Sequence, residues 1–301
     1  MNKIECFKIQ VLKTDDIFDI KNGEVIKQIN CETNTIVKEP KTIQADPFLF
    51  VSNNILYLFY EDKKMYKSGV ISMIFTKNLV DWSNPVTVLE EECHLSYPWV
   101  FEDGGCIYMI PETSADNSIR IYKAVDSSLS KFVFKKCLLK DKRKNMIFGY
   151  SDTSIYKRDN IYYLMTTVNK QGINQLELYF SNSLLGDYEL HSNSPVVVGN
   201  KFGRNAGSLF DYNNKLYRVA QDCELRYGDD VHLFEIKDMN KENYSEYLCK
   251  KNLLAGKSKF YSHGGHQFSW VRFKNQYIVA TDAKEYHYLI LNKIAHRLKI
   301  Y

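Results

Sequence analysis

Short runs of alternating apolar and polar residues recur along most of the chain. The runs "SIRIYKA" at residues 118–124 and "QLELYFS" at residues 175–181 alternate with period two, which predicts strands with one face toward a core. No long amphipathic helix stands out. The 22 Tyr and 17 Phe, against only 14 Gly and 6 Pro, favour pleated surfaces, where aromatic side chains pack well. The pattern therefore predicts an all-β fold.

Five twelve-residue segments resemble one another, and each ends on a Tyr. They are "DPFLFVSNNILY" from Asp46, "YPWVFEDGGCIY" from Tyr97, "DTSIYKRDNIYY" from Asp152, "AGSLFDYNNKLY" from Ala206 and "HQFSWVRFKNQY" from His266. In each segment a polar or Gly-bearing turn separates an aromatic fifth residue from the Tyr, which is typical of a β-hairpin. The segments start 51, 55, 54 and 60 residues apart, a spacing that suits four-stranded units.

Radial repetition of four-stranded units is the β-propeller architecture. The sequence predicts one five-bladed β-propeller over residues 41–301, with residues 1–40 as a lead-in whose "CFKIQVL" supplies a ring-closing strand. The first residue of each hairpin should lie near the central axis. A second ring of polar residues lies near the end of the second strand of each hairpin. Because the two strands of a hairpin run in opposite directions, we expect this ring toward the other rim of the propeller. Its members are Glu61, Glu112, Thr167, Gln221 with Asp222, and Thr281 with Asp282.

Charge and cysteine usage narrow the class of protein. The formal charge of +4 comes from 40 basic and 36 acidic residues, too even a balance for nucleic acid or anionic lipid to dominate binding. The seven cysteines, none closer than 13 positions to another, indicate neither a zinc ribbon nor a disulfide framework. No window approaches 18 apolar residues, so we expect no membrane span and a cytoplasmic protein.

Several motifs resemble known carbohydrate-active propellers. "ADPFLF", "SDTSIY" and "GGHQFSW" resemble blade motifs of the five-bladed enzymes of glycoside hydrolase family 43. "HLSYPWVFEDGGCIYMIPETS" and "RNAGSLFDYNNKLYRVAQDCELRYGDDVHLFEI" are similar to the N-terminal propeller domain of plant glucosamine inositolphosphorylceramide transferases, over roughly residues 40 to 280. The resemblance implies a propeller fold and a carbohydrate context. In the plant proteins, sugar transfer is attributed to a separate C-terminal domain.

The hydrolase resemblance also implies site residues. It places the catalytic base on Asp46 and an orienting acid on Asp152, whereas the position of the proton-donating Glu holds Asn205. An amide has no proton to donate at neutral pH, which counts against ordinary glycoside hydrolysis. In a transferase, Asp46 would be the base, Asp152 and His266 would orient, and Arg204 with Asn205 would bind donor phosphate or hydroxyl groups.

Other candidates complete the predicted site. Gln221 would bind a sugar hydroxyl, and Tyr97 and Trp99 would stack on a sugar ring. Glu112 or Asp222 would supply the proton in a hydrolase with a displaced acid.

The sequence also leaves the class of activity and the ligands open. A bound metal is not predicted, although an axial divalent cation stays open. Glycosyl transfer from a nucleotide sugar in surface polysaccharide or glycolipid synthesis is the preferred function. The alternatives are a hydrolase and a glycan-binding module beside a partner glycosyltransferase.

Overall fold

The computed structural model describes residues 3–33, 39–143, 146–254, 256 and 258–299, and strands dominate it. The all-β prediction is confirmed. The chain opens with β1 (Ile4–Thr14) and β2 (Glu24–Ile29), which are followed by four antiparallel sets. The first set is β3 (Lys41–Ser52), β4 (Ile55–Lys64), β5 (Val70–Thr76) and β6 (Val86–Leu89). The second is β7 (Ser96–Asp103), β8 (Cys106–Thr113), β9 (Ser118–Ala124) and β10 (Phe132–Lys140).

The later sets contain some short strands. The third is β11 (Met146–Arg158), β12 (Ile161–Lys170), β13 (Ile173–Ser181), β14 (Glu189–Leu190) and β15 (Val197–Val198). In the fourth, β16 (Arg204–Asn205) and β17 (Phe210–Tyr212) both pair with β18 (Lys215–Asp222), followed by β19 (Asp230–Met239) and β20 (Tyr244–Lys250). The chain ends with β21 (Phe268–Phe273), β22 (Gln276–His287) and the helix α1 (Ile290–Arg297). Single 3₁₀ turns lie at Ile20–Asn22, Ser114–Asp116 and Lys259–Tyr261.

The two ends of the chain share one set of strands. β1 pairs antiparallel with β22 from Ile4 opposite His287 to Thr14 opposite Tyr277, and β2 pairs with β1. One parallel pair, Phe7 with Ile43, links β1 to β3. Five sets of strands result, and we interpret them as the five predicted blades, with β1 as the ring-closing strand. The domain boundary at residue 40 stays a prediction.

Turn geometry supports the predicted repeat. Every one of the five hairpins turns through two consecutive residues with positive φ, the signature of a type I′ turn, which matches the twist of the flanking strands. These pairs are Asn53–Asn54, Gly104–Gly105, Asp159–Asn160, Asn213–Asn214 and Lys274–Asn275.

The core lies between neighbouring blades. The described residues form five clusters of buried apolar side chains, and each draws mainly on two adjacent blades. The cluster between the last and first blades combines Ile9 and Val11 of β1 with Leu56 and Leu58 of β4. Among the described residues no helix is long and apolar enough to cross a bilayer.

Replacing Ile9 with Ala tests the importance of the first strand. Ile9 is fully buried, so the cavity should lower the free energy of unfolding by about 2–4 kcal/mol. Urea titration measures this. Val80→Ala is the control, because Val80 is 78% exposed and its truncation should cost less than about 0.5 kcal/mol. If Ile9→Ala lowers the free energy of unfolding no more than Val80→Ala does, β1 does not close the ring.

Candidate functional site at the ring axis

Three inner strands carry the same distortion at the position predicted to face the axis. Asp46, Tyr97 and Asp152 have φ values of 52°, 46° and 49°, and the strand register shifts beside each of them. Positive φ is uncommon in non-glycine residues, and a bulged residue has no partner in the strand ladder. Its buried N–H must therefore find another acceptor.

These N–H groups are bound by the neighbouring blade. The Asp46 N–H donates to Asp282 Oδ2 at 3.2 Å, and the Tyr97 N–H donates to Asp46 Oδ2 at 3.0 Å. Similar bonds cross the other three blade junctions: Asp152 N–H to Glu112 Oε2 (3.3 Å), Asn205 N–H to Thr167 Oγ1 (3.1 Å) and Phe268 N–H to the Ala206 carbonyl (2.7 Å). Hydrogen bonds thus link all five blades around the axis.

The expected separation of the two polar rings is wrong. An antiparallel hairpin places the start of its first strand beside the end of its second, so both rings lie at the same end of the axis. The register shows this directly, with Ser96 opposite Glu112 and Ser151 opposite Thr167.

His266 bridges two carboxylates of adjacent blades. Its Nδ1 lies 2.7 Å from Asp282 Oδ2 and its Nε2 lies 3.2 Å from Asp46 Oδ1. Burial would lower the pKa of His266, but the carboxylates of Asp282 and Asp46 raise it above its ordinary value overall. Burial raises the pKa of Asp46 to about 6, although the positive charge of His266 opposes that shift. Both ring nitrogens thus lie within ion-pair distance of a carboxylate oxygen, although the contact of Nδ1 with Asp282 lacks hydrogen-bond geometry, and this setting favours the charged ring.

The same three residues are the candidate cation ligands. Asp46, His266 and Asp282 are the one group among the described residues whose ligand atoms lie within 4.8 Å of one another. Both ring nitrogens of His266 already face carboxylate oxygens at hydrogen-bonding distance. A divalent cation would need a deprotonated ring and would replace one of these ion-pair contacts.

Arg204 is held rigidly beside this bridge. Its Nε donates to Asp152 Oδ2 at 2.6 Å, and its guanidinium carbon lies 5.3 Å and 4.9 Å from the ring centres of Phe148 and Tyr227. Burial raises the pKa of Asp152 to about 6, partly offset by the Arg204 charge. The described residues give the terminal guanidinium nitrogens no hydrogen-bond partner, so these donors could bind an anion.

Two glutamates add further negative charge at the axis. Glu112 is half-buried, its Oε1 accepts from Ser114 Oγ at 2.7 Å, and burial raises its pKa. Glu61 is 6% exposed, and burial, then the charge of Asp46, raise its pKa well above the ordinary value. The Nδ1 of His94 accepts the Gly69 N–H at 2.9 Å, so in the neutral ring the proton sits on Nε2, 3.3 Å from Glu61 Oε1.

The predicted stacking of aromatic rings on a sugar is not supported. Tyr97 is fully buried and meets the ring of Phe48 edge to face at 4.8 Å. Trp99 is 8% exposed and stacks on Phe101 at 4.1 Å within the core between blades. Neither ring has a free face for a ligand. The hydroxyl of Tyr97, however, is buried without a partner.

Gln221 and Asp222 do not reach the axial cluster, the group of charged residues formed by Asp46, Glu61, Glu112, Asp152, Arg204, His266 and Asp282. Gln221 is fully buried, and its side-chain amide donates to the Asn205 carbonyl at 2.7 Å, which holds β16 to β18. Asp222 binds His232 Nε2 at 3.0 Å and the Glu224 N–H at 3.0 Å instead. Asn205 does lie at the axis, where its Nδ2 donates to the carbonyl of Asp152 at 2.9 Å and its Oδ1 is buried without a partner.

Sequence reasoning missed the residue that lies over the cluster. The segment "RYGDD" at residues 226–230 is typical of a turn, but its Tyr227 lies 5.1 Å from the ring of His266 and is 39% exposed. Lys284 Nζ donates to the Tyr227 carbonyl, and Gly228 permits the close approach, since a Cβ there would lie 2.8 Å from His266 Cβ. A single aromatic residue in a polar loop carries no periodic signal, so only the structure reveals it.

Solved structures match this fold. Bombyx mori GH32 beta-fructofuranosidase BmSUC1 aligns with a TM-score of 0.58 and 15% identity over 82% of this chain and 58% of its own. A family 117 glycoside hydrolase from Zobellia galactanivorans gives 0.56 and 11% over 80% and 84%. At these identities the likeness shows the fold alone. The fold defines an all-β, propeller-like protein.

Sequence comparison places the chain in a family. It belongs to the family described as "Glucosamine inositolphosphorylceramide transferase 1, N-terminal", whose model matches residues 3–281. Glucosamine inositolphosphorylceramide transferase 1 of Arabidopsis thaliana is 33% identical over 276 residues, which is 87% of this chain and 35% of the relative. The protein of that name from Oryza sativa subsp. japonica is 34% identical over 228 residues, 72% of this chain and 29% of its own length. The chain thus spans about a third of these relatives.

Glu61→Gln tests the electrostatics of the axis. A folded-state pKa above the unfolded one means that Glu61 supports stability below its ordinary pKa and that this support is lost as the pH rises. Glutamine keeps the shape without the charge. The variant should therefore gain stability over the wild type between pH 4.5 and pH 8 in urea titrations.

The control is Glu92→Gln, which changes an exposed side chain and should track the wild type. If the difference in unfolding free energy between Glu61→Gln and the wild type is the same at both pH values, the raised pKa of Glu61 is contradicted.

Proposed function

We propose that the axial site binds an activated sugar and takes part in its transfer to a glycolipid acceptor. The family is that of the N-terminal part of glucosamine inositolphosphorylceramide transferases. Because the chain spans 35% of the Arabidopsis relative, the activity of the whole relative is a proposal for this chain. The cytoplasmic location, a role in surface polysaccharide synthesis and a partner glycosyltransferase are likewise proposals.

The observation that carries the proposal is the setting of Arg204. Its guanidinium is fixed by Asp152 and by two aromatic rings, while its terminal N–H groups point to no acceptor among the described residues. A planar guanidinium with free donors matches the oxygens of a phosphate, and such phosphates are part of nucleotide sugars. The buried Oδ1 of Asn205 supplies an acceptor for a sugar hydroxyl.

Asp46 has the properties of a base for the acceptor. Its pKa of about 6 leaves it mostly ionised at neutral pH yet able to accept a proton. In the proposed step the acceptor oxygen bonds to the anomeric carbon, its proton passes to Asp46, and the bond to the leaving phosphate breaks. Arg204 then faces the negative charge that develops on the leaving group. His266 and Asp282 orient Asp46 through the bridge described above.

Access requires a movement of the covering loop. Asp46 and Asp152 are 6% and 3% exposed, and the ring of Tyr227 lies over the cluster. A sugar can enter only when residues 224–229 move aside. Closure of this loop over the ligand would exclude water, which favours transfer over hydrolysis.

A hydrolase is the second candidate, and Glu112 favours it. Glu112 is half-buried, its pKa is raised, and its Oε2 accepts the backbone N–H of Asp152. Glu112 could therefore act as the proton donor, a role that Asn205 cannot fill. A glycan-binding module without turnover is the third. Cleavage of aryl glycosides, lost in Glu112→Gln, would identify the hydrolase.

Ligand binding is tested by thermal shift with a panel of nucleotide sugars. At least one should raise the wild-type Tm, because a ligand that binds only the folded state stabilises it. Arg204→Lys should bind it roughly tenfold or more weakly, since lysine cannot donate in parallel. Arg158→Lys is the matched control, because Arg158 is a solvent-exposed arginine at the end of β11, outside the covering loop. A panel without any shift would contradict the donor assignment.

The role of Asp46 is tested by Asp46→Asn in a transfer assay with the donor that passes the thermal-shift screen. Asparagine still accepts the Tyr97 N–H but cannot take a proton, so turnover should fall by about 10²–10⁴ while donor binding persists. Asp187→Asn, at a fully exposed carboxylate, should retain full activity. Retained activity in Asp46→Asn would remove Asp46 from the chemistry.

A further inference from the structure

The C-terminal helix turns its large apolar side chains away from the protein. Its buried residues are Asn292 and Ala295. Four apolar residues on and just after the helix are exposed by 43%, 66%, 47% and 68%: Ile290, Leu291, Ile294 and Leu298. A surface helix normally buries its apolar stripe, so this inverted pattern indicates that another surface covers it.

Helical geometry gathers these side chains on one face. At about 100° per residue, the four apolar positions fall within a sector of roughly 100°. The packed residues Asn292 and Ala295 both lie outside this sector. Lys293 and Arg297 lie at one edge of the apolar sector, which gives α1 an apolar stripe bordered by cations.

The helix lies at the end of the ring where the axial cluster is found. It follows β22, the strand that carries Asp282. The ring of His296 stacks on Tyr66 with centres 4.0 Å apart, and Tyr66 lies just beyond β4, the strand that carries Glu61. The exposed stripe therefore lies on the same side of the molecule as the candidate site.

The charges near α1 indicate what kind of surface covers its exposed apolar stripe. Residues 288–299 contain Lys293, Arg297 and Lys299 and no acidic residue. Lys3 adds a cation, with its Nζ 5.7 Å from the ring of Tyr288. The even overall charge of +4 hides this local patch. An apolar stripe edged by cations fits the interface of an anionic bilayer, where acyl chains and lipid phosphates lie side by side.

We propose that α1 docks the protein on an anionic membrane surface. Ile290, Leu291 and Ile294 enter the boundary between headgroups and acyl chains, and Lys293 and Arg297 face lipid phosphates. The helix lies in the plane of the interface. The inference stands on α1 alone and does not depend on the chemistry at the axis.

Vesicle co-sedimentation of the 301-residue chain tests this inference. The protein should bind vesicles of phosphatidylcholine mixed with phosphatidylserine more strongly than pure phosphatidylcholine, and added salt should weaken the difference. The triple variant Leu291→Ser, Ile294→Ser, Leu298→Ser should partition at least about tenfold more weakly. Val80→Ser is the matched control, because Val80 is an exposed apolar residue far from α1 in sequence, and should bind like the wild type.

A second variant separates the charge from the apolar contact. Lys293→Gln with Arg297→Gln should lose the preference for phosphatidylserine and keep the weaker binding to phosphatidylcholine. A wild type that binds neither vesicle, or a triple variant that binds as well as the wild type, would overturn the proposal. The proposal would also be overturned if the wild type were a dimer in buffer and the triple variant a monomer. The apolar stripe would then be covered by a second copy of the protein.

Folding is checked in the same series. The three substituted side chains are exposed, so circular dichroism and Tm should match the wild type. If the triple variant is unfolded, Leu291→Trp replaces it. A blue shift of its tryptophan emission on adding anionic vesicles supports insertion, and an unchanged spectrum rejects it.

Discussion

Hydrogen bonds between backbone N–H groups at the axis and acceptors of the neighbouring blade hold this ring together. A bulge at Asp46, Tyr97 and Asp152 removes each N–H from its own sheet and aims it at the next blade. Because these groups are buried, leaving one unpaired would cost about 1–3 kcal/mol. Closure therefore requires side-chain acceptors at the axis, and carboxylates accept such bonds well. The bridge from Asp282 through His266 to Asp46 serves the junction where the two ends of the chain meet.

The need for hydrogen-bond acceptors at the axis also explains why so many carboxyl groups lie close together there. Five carboxyl groups share the axis with two cationic groups, Arg204 and His266, in a setting with little water. Burial and mutual repulsion raise the pKa of most of these carboxyls, and the pKa values of Asp46 and Asp152 rise to about 6. Acidic residues at the axis thus have a structural reason that is independent of catalysis. Arg204 is different, because its free donors serve no blade junction and so indicate a ligand.

Much of the fold can be predicted from the sequence repeat. Hairpin spacing, closing Tyr residues and Asn or Gly turns predict five hairpins, and each hairpin is found at its predicted place. The cluster was only partly predictable. Asp46, Asp152, Asn205 and His266 follow from their position at the start of a hairpin, whereas Glu61 and Asp282 were placed at the wrong rim by an error in strand direction.

Other features carry no sequence signal. Trp99 looks like a sugar platform until packing shows that Phe101 covers it. Tyr227 reaches the axis through a loop whose path depends on tertiary contacts, namely the Lys284 contact to its carbonyl and the space left by Gly228. Period and spacing encode strands and turns, and they do not encode how a loop folds over its neighbours.

The central claim is most directly tested by the protonation of His266. A pH titration followed by nitrogen NMR, with the signals assigned through His266→Gln, should give His266 a pKa above the ordinary value of 6.5. The Asp282→Asn variant should shift this ring toward the neutral form, since it removes one of the two carboxylates that raise the pKa. A His266 pKa at or below the ordinary value of 6.5 in the wild type would contradict the charged bridge on which this description of the ring rests.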